Sequence, residues 1–141
     1  MAGGFEWSSS ASTTRGVELQ QSIVALKKGA HLLKCGKRGK PKFCTVRLSY
    51  DERALIWYSK ERGKRLSLNS VSSVVLGQKT TKLLRLHWPE KESHSLSIIY
   101  KNGESSLDLV CKDRDQAECW YLGLTAVISA PCTPLLLIDS T

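Results

Sequence analysis

The chain has no apolar run long enough to cross a membrane. The longest near its end is Leu135 to Ile138, against the ~20 residues that a spanning helix needs. The N-terminus lacks a signal-peptide core, because Phe5 and Trp7 stand among Gly and Ser. Residue two is Ala, so N-myristoylation is not indicated. The five cysteines, Cys35, Cys44, Cys111, Cys119 and Cys132, are odd in number, and no two have zinc-knuckle spacing. His31, His87 and His94 complete no metal-ligand pattern with them. Reduced thiols in a cytoplasmic protein are expected, with no metal and no cofactor. Catalytic patterns are missing as well. No Ser/His/Asp or Cys/His arrangement has a recognisable context, and no phosphate-loop glycine pattern leads into Lys-Ser or Lys-Thr. The expectation is a protein that is not an enzyme.

Carboxylates are scarce over one stretch in particular. Between Lys27 and Arg65 thirteen Lys or Arg face only Asp51, Glu52 and Glu61, a local net of +10. The whole chain nets +8, so everything outside the stretch sums to −2. Charge this localised attracts an anion. Nucleic acid is not the expected one, because no aromatic stacking platform interleaves the basic residues.

At 141 residues there is room for one domain and short tails. Residues 1–16 are rich in Gly, Ser, Thr and Ala and read as a disordered tail; 17–129 read as the domain, and 130–141 as a C-terminal tail. Val17 to Lys28 has helical spacing, with Leu19, Ile23 and Leu26 on one face and Gly29 as its stop. Alternation then takes over. Strands are expected at Ala30–Lys34, Lys42–Leu48, Leu55–Tyr58, Leu66–Leu76 with a break near Ser70, and Leu83–Leu86. The sixth and seventh flank Asn102-Gly103, a pair that tolerates the positive φ angles of a tight hairpin turn. A strong amphipathic helix follows. Asp113 is placed to cap it, with Gln116 in the capping-box position, and Ala117, Trp120, Tyr121, Leu124 and Ile128 share a face. The fold class read from this is mainly β: seven antiparallel strands forming an open barrel or sandwich, closed by the C-terminal helix and preceded by a short N-terminal one. Trp57 and Trp120 read as core, and Trp88 before Pro89 as an exposed loop residue.

That order resembles a pleckstrin homology (PH) domain. The blocks LLKCGKRGKPKF, LIWYSKE, VVLGQKT and SLSIIYKNGESSLDLVCKDRDQAECWYLGL are similar to the phospholipase C delta type of PH domain. KKGAHLLKCGKRGKPKF and PEKESHSLSIIY are similar also to the N-terminal PH domain of plant proteins that continue into chromosome-condensation-regulator repeats and a FYVE zinc finger. The resemblance covers residues 17–129. It implies a PH-type barrel and a phosphoinositide site in which a basic residue ends the first strand and a basic pair brackets one residue at the start of the second. Here those positions are Lys34, Lys40 and Lys42. A further basic residue comes from the turn after the third strand, here Lys60, Arg62 or Lys64, and Lys37 and Arg38 stand in the first loop. Gly36 departs from the pattern, which often has a second basic residue there.

The resemblance thus implies a non-catalytic signalling module that binds phosphoinositides or anionic membrane surfaces through basic turns at the open barrel end. It would be cytoplasmic, monomeric and reversibly peripheral to the membrane. The alternative is a protein-interaction adaptor that uses the same fold without specific lipid binding.

Overall fold

The computed structural model describes residues 18–36, 40–59 and 62–129. Both expected tails, and Val17 at the expected start of the first helix, lie outside the described residues. A first helix, α1, runs over residues 18–28 and stops where Gly29 takes φ +87° and donates its N–H to the Ala25 carbonyl at 3.0 Å. A Cβ on Gly29 would stand 2.9 Å from both the Val46 carbonyl oxygen and the Arg47 Cβ. The position therefore needs glycine for conformation and for space.

Seven strands follow: β1 (Ala30–Cys35), β2 (Lys42–Leu48), β3 (Ala54–Ser59), β4 (Arg62–Ser67), β5 (Val71–Leu76), β6 (Ser95–Tyr100) and β7 (Ser105–Val110). They form one antiparallel sheet in the order β4-β3-β2-β1-β7-β6-β5. The expected count of seven holds, with two changes of membership. Leu66–Leu76 is two strands, not one, because a 3-10 segment at Leu68–Ser70 intervenes; the Ser67 hydroxyl accepts from the Asn69 N–H there. Leu83–Leu86 is not a strand. Thr81–Leu84 forms a short helix, α2, whose first turn is capped by the Thr80 hydroxyl accepting from the Leu83 N–H. Its apolar pair is too short for periodicity to separate strand from helix.

One core cluster joins both halves of the sheet. Leu32, Val46, Leu48 and Leu55 from the first half meet Leu96, Ile98 and Leu109 from the second, all at 0% exposure. The last helix, α3 (Arg114–Ser129), packs on β5 and β6 and inserts Trp120 into that cluster at 2% exposure. Truncating such a buried indole costs about 3–5 kcal/mol. The Asp113 carboxylate accepts the Gln116 N–H at 2.8 Å, as the expected cap requires. The Gln116 side chain returns to the Lys112 N–H rather than to that of Asp113. Gly123 and Val127 join the buried face, while Tyr121 and Ile128 are half-buried at its edge. Gly123 lets α1 approach closely, since a Cβ there would meet the Leu26 Cδ2 at 2.8 Å.

β1 is covered on both faces. Leu32 points into the main core, whereas Cys35 packs on the outer face with Leu83 and Val110, flanked by Leu33, Leu86 and Trp88. Trp88 is thus half-buried against the sheet and not an exposed loop residue. Burial also pushes the Cys35 thiol up to about 11 and that of Cys111 to about 12, which keeps both protonated at neutral pH.

Candidate anion-binding site

The register of β1 to β4 decides which cations meet. Lys34 pairs with Lys42 across β1 and β2, and Trp57 pairs with Lys64 across β3 and β4. Side chains alternate along a strand. Lys34 therefore shares the face of Leu32, Lys42 that of Cys44, and Lys64 that of Leu66, all core residues. These three lysines extend the core-facing rows past the point where the apolar residues stop. Arg62 lies opposite Ser59 at the same end, at the start of β4. Arg62 and Lys64 belong to a strand, where the sequence suggested a turn.

An open pocket of about 660 Å³ lies at this end. Its cations are Lys34 from β1, Lys64 and Arg65 from β4, Lys82 from α2 and Lys101 from the β6–β7 turn; Trp57 and Leu66 form apolar wall. Among the described residues, no carboxylate lines it. Among the described residues, Lys34, Lys42, Lys64, Arg65 and Lys101 have no carboxylate within 4.0 Å. Like charges brought together without partners repel one another, so the arrangement gains most from a multivalent anion.

Lys82 is held differently. Its ammonium donates to the Ser106 carbonyl at 2.7 Å and stands 3.1 Å from the Asp108 carboxylate, which is 0% exposed. Ser97, Thr80 and Ser106 each donate a hydroxyl to that same carboxylate, at 2.6, 2.5 and 2.7 Å. Burial, the largest single influence, pushes the Asp108 pKa up. The three hydroxyls and Lys82 outweigh it together and leave the carboxyl below its ordinary value. This buried network fastens the β5–β6 connection to the sheet and so fixes the Lys82 side of the pocket.

Of the eight residues singled out from the sequence, Lys34 and Lys64 line the pocket, and Lys42 and Arg62 stand beside them through the register. Lys40 lines a separate groove on the other face of the β1–β2 hairpin. Lys37, Arg38 and Lys60 lie outside the described residues. Gly36 lines the pocket without a charge to offer. Arg65, Lys82 and Lys101 were missed. Arg65 sits within the +10 stretch, but the other two lie beyond it, one in a segment that reads as a strand. Lys101 had a local signal. It immediately precedes Asn102-Gly103 and takes φ +53°, a left-handed conformation that costs a non-glycine residue roughly 1–2 kcal/mol.

A sequence model of the pleckstrin homology domain matches residues 19–129. The chain belongs to the PH domain family. The human 1-phosphatidylinositol 4,5-bisphosphate phosphodiesterase delta-1 is 26% identical over 122 residues, 82% of this chain and 16% of that enzyme. The PH domain is a non-catalytic module, and the match to the enzyme is confined to that small share of its length. The crystal structure of L. pealei PLC21 superposes with a TM-score of 0.63 at 14% identity, over 74% of this chain and 15% of that one. Inner membrane complex sub-compartment protein 1 of Toxoplasma gondii gives 0.65 at 10% identity, over 80% and 92%. At identities this low, the superpositions show a shared fold alone.

Proposed function

We propose that this PH domain is a targeting module that binds phosphoinositide headgroups on anionic membranes through the open-end pocket. The observation that carries the reading is the convergence of Lys34, Lys64, Arg65, Lys82 and Lys101 on one pocket that no carboxylate among the described residues lines. They come from four separate segments, as a rigid inositol ring with phosphates on several sides requires. Lysine serves phosphate as a point charge, and Arg65 adds the capacity for paired hydrogen bonds. The phospholipase relative is named for its action on phosphatidylinositol 4,5-bisphosphate, which supports the same lipid class here.

The energetics separate recruitment from selectivity. A basic residue near an anionic leaflet contributes about 1 kcal/mol. The four pocket cations without an ion pair would then supply about 4 kcal/mol, a roughly millimolar affinity. Tighter binding has to come from directed hydrogen bonds to one headgroup. Attachment of this kind is peripheral and reversible, and we place it on a cytosolic leaflet.

Vesicle co-sedimentation tests the reading. Recovery with phosphoinositide-containing vesicles should exceed recovery with neutral ones at low salt, and the excess should shrink as salt rises. Equal recovery on both vesicle types would sink it.

A further inference from the structure

The five pocket cations are not held alike. Lys64, Arg65 and Lys101 are exposed, and they share with Lys34 the lack of a carboxylate within 4.0 Å among the described residues. A lysine of this kind follows a phosphate to wherever it stands, and it loses its rotamer freedom only on binding. Lys82 is fixed at both ends. Its backbone belongs to α2, which is pinned by Leu83 at 0% exposure and by the Thr80 hydroxyl, bonded to both the Leu83 N–H and Asp108. Its ammonium is held by the Ser106 carbonyl at 2.7 Å and the Asp108 carboxylate at 3.1 Å. The side chain between these ends is only 20% exposed.

An ammonium carries three N–H donors. Two are taken by Ser106 and Asp108, which leaves one on a residue that lines the pocket. The pair with Asp108 is neutral overall, so Lys82 adds little to the long-range attraction of anions. It acts by contact. A donor fixed in place gains a bond when a phosphate oxygen stands at one spot and gains nothing when the oxygen stands elsewhere, while its ordering has already been met in folding. The mobile cations accept phosphates in many positions, whereas Lys82 accepts them in one.

We propose that Lys82 is the specificity-determining residue of the pocket, reading the position of one phosphate on the inositol ring, and that Asp108 is the positioning residue behind it. The proposal rests on the headgroup reading for the class of ligand and adds to it how headgroups of equal charge are told apart. Lys34, Lys64, Arg65 and Lys101 attract the anion, and Lys82 selects among its isomers.

The test is calorimetric titration of the full chain with the set of soluble inositol trisphosphate regioisomers, which differ only in where the phosphates stand. The wild type should separate the strongest from the weakest isomer by about tenfold or more, the scale of one charge-assisted hydrogen bond. Lys82→Gln should shrink that spread to about twofold. Asp108→Asn frees a charged Lys82, so it should shrink the spread as well while binding anionic vesicles at least as strongly as the wild type. Lys101→Gln should weaken every isomer by a similar factor and keep the spread. Where Lys82→Gln alone fails to fold, because Asp108 is left buried without its cation, the double variant Lys82→Gln/Asp108→Asn removes that charge and takes its place. A merely structural role for the network would lower stability without altering the ratio between isomers. A spread that survives in folded Lys82→Gln or Asp108→Asn, or a wild type that binds all isomers equally, overturns the proposal and leaves the headgroup reading standing. A wild type that binds no isomer strikes the headgroup reading itself.

Discussion

Where β2 turns into β3, every carboxylate has a role in holding the chain. Lys27 on α1 meets Glu52 at 2.7 Å, and Asp51 accepts the Ser49 hydroxyl at 2.6 Å and the Arg53 N–H at 3.1 Å. The Ser49 and Arg53 bonds hold the Asp51 carboxyl below its ordinary pKa. At the opposite end, where β1 leads to β2 and β6 to β7, the pocket gathers, among the described residues, five cations and no lining carboxylate. Asp108 is near, but it is buried and committed to Thr80, Ser97, Ser106 and Lys82. One end satisfies its charges internally, and the other holds them for an anion from outside. Both ends draw on the same +10 stretch, Lys27, Asp51 and Glu52 at one and Lys34, Lys64 and Arg65 at the other, so the contrast between them comes from the fold as well as from composition.

The largest effect should come from removing the one carboxylate that structures the open end. Asp108→Ala leaves Lys82 and three hydroxyls without their acceptor. It should cost about 3 kcal/mol in denaturant unfolding, the low side for a broken buried pair, because Lys82 keeps a path to the pocket. The pH dependence follows from the lowered folded pKa. The Asp108 contribution is complete above the ordinary carboxylate value of about 4 and is lost as pH falls through the lower folded value. The stability gap between wild type and Asp108→Asn should therefore be widest near neutrality and close in acid. A gap that widens in acid would contradict the network described here.

Next comes charge reversal in the pocket. Lys34→Glu should weaken phosphoinositide-vesicle binding by about 2 kcal/mol, roughly thirtyfold, with little change in unfolding midpoint. Smallest is the same reversal at the opposite end. Lys28, the exposed last residue of α1 next to Lys27, lies outside the pocket lining and about 13 Å or more from Lys34 along β1, beyond the ~10 Å screening length at 0.1 M salt. Lys28→Glu should change vesicle binding less than about twofold. Equal losses from the two variants would reduce the contrast between the ends to a net-charge effect.

Much of the architecture is legible in the sequence because its signals are local. The boundaries of β2, the Asn102-Gly103 hairpin, the Gly29 stop and the Asp113 cap all depend on residues within a few positions of one another. The β5–β6 connection is not legible in this way. Thr80, Lys82 and Leu83 form a helix because Asp108 and Val110, more than twenty residues later, supply their polar and apolar partners. Alternation along β6 and β7 would put Ser97 and Asp108 on a solvent face, yet that connection covers both to 0% exposure. The site divides likewise. Lys34 and Lys42 follow from strand parity within a charged stretch, and Lys64 from its position just after the third strand. Lys82 and Lys101 enter the pocket only through tertiary contacts that no spacing reveals.

The most direct test is calorimetric titration of a soluble inositol trisphosphate into the wild type, Lys34→Glu and Lys28→Glu at about 0.1 M salt. The account predicts that the wild type and Lys28→Glu bind alike and that Lys34→Glu binds roughly thirtyfold more weakly. Equal binding by all three, or none by the wild type, would contradict it.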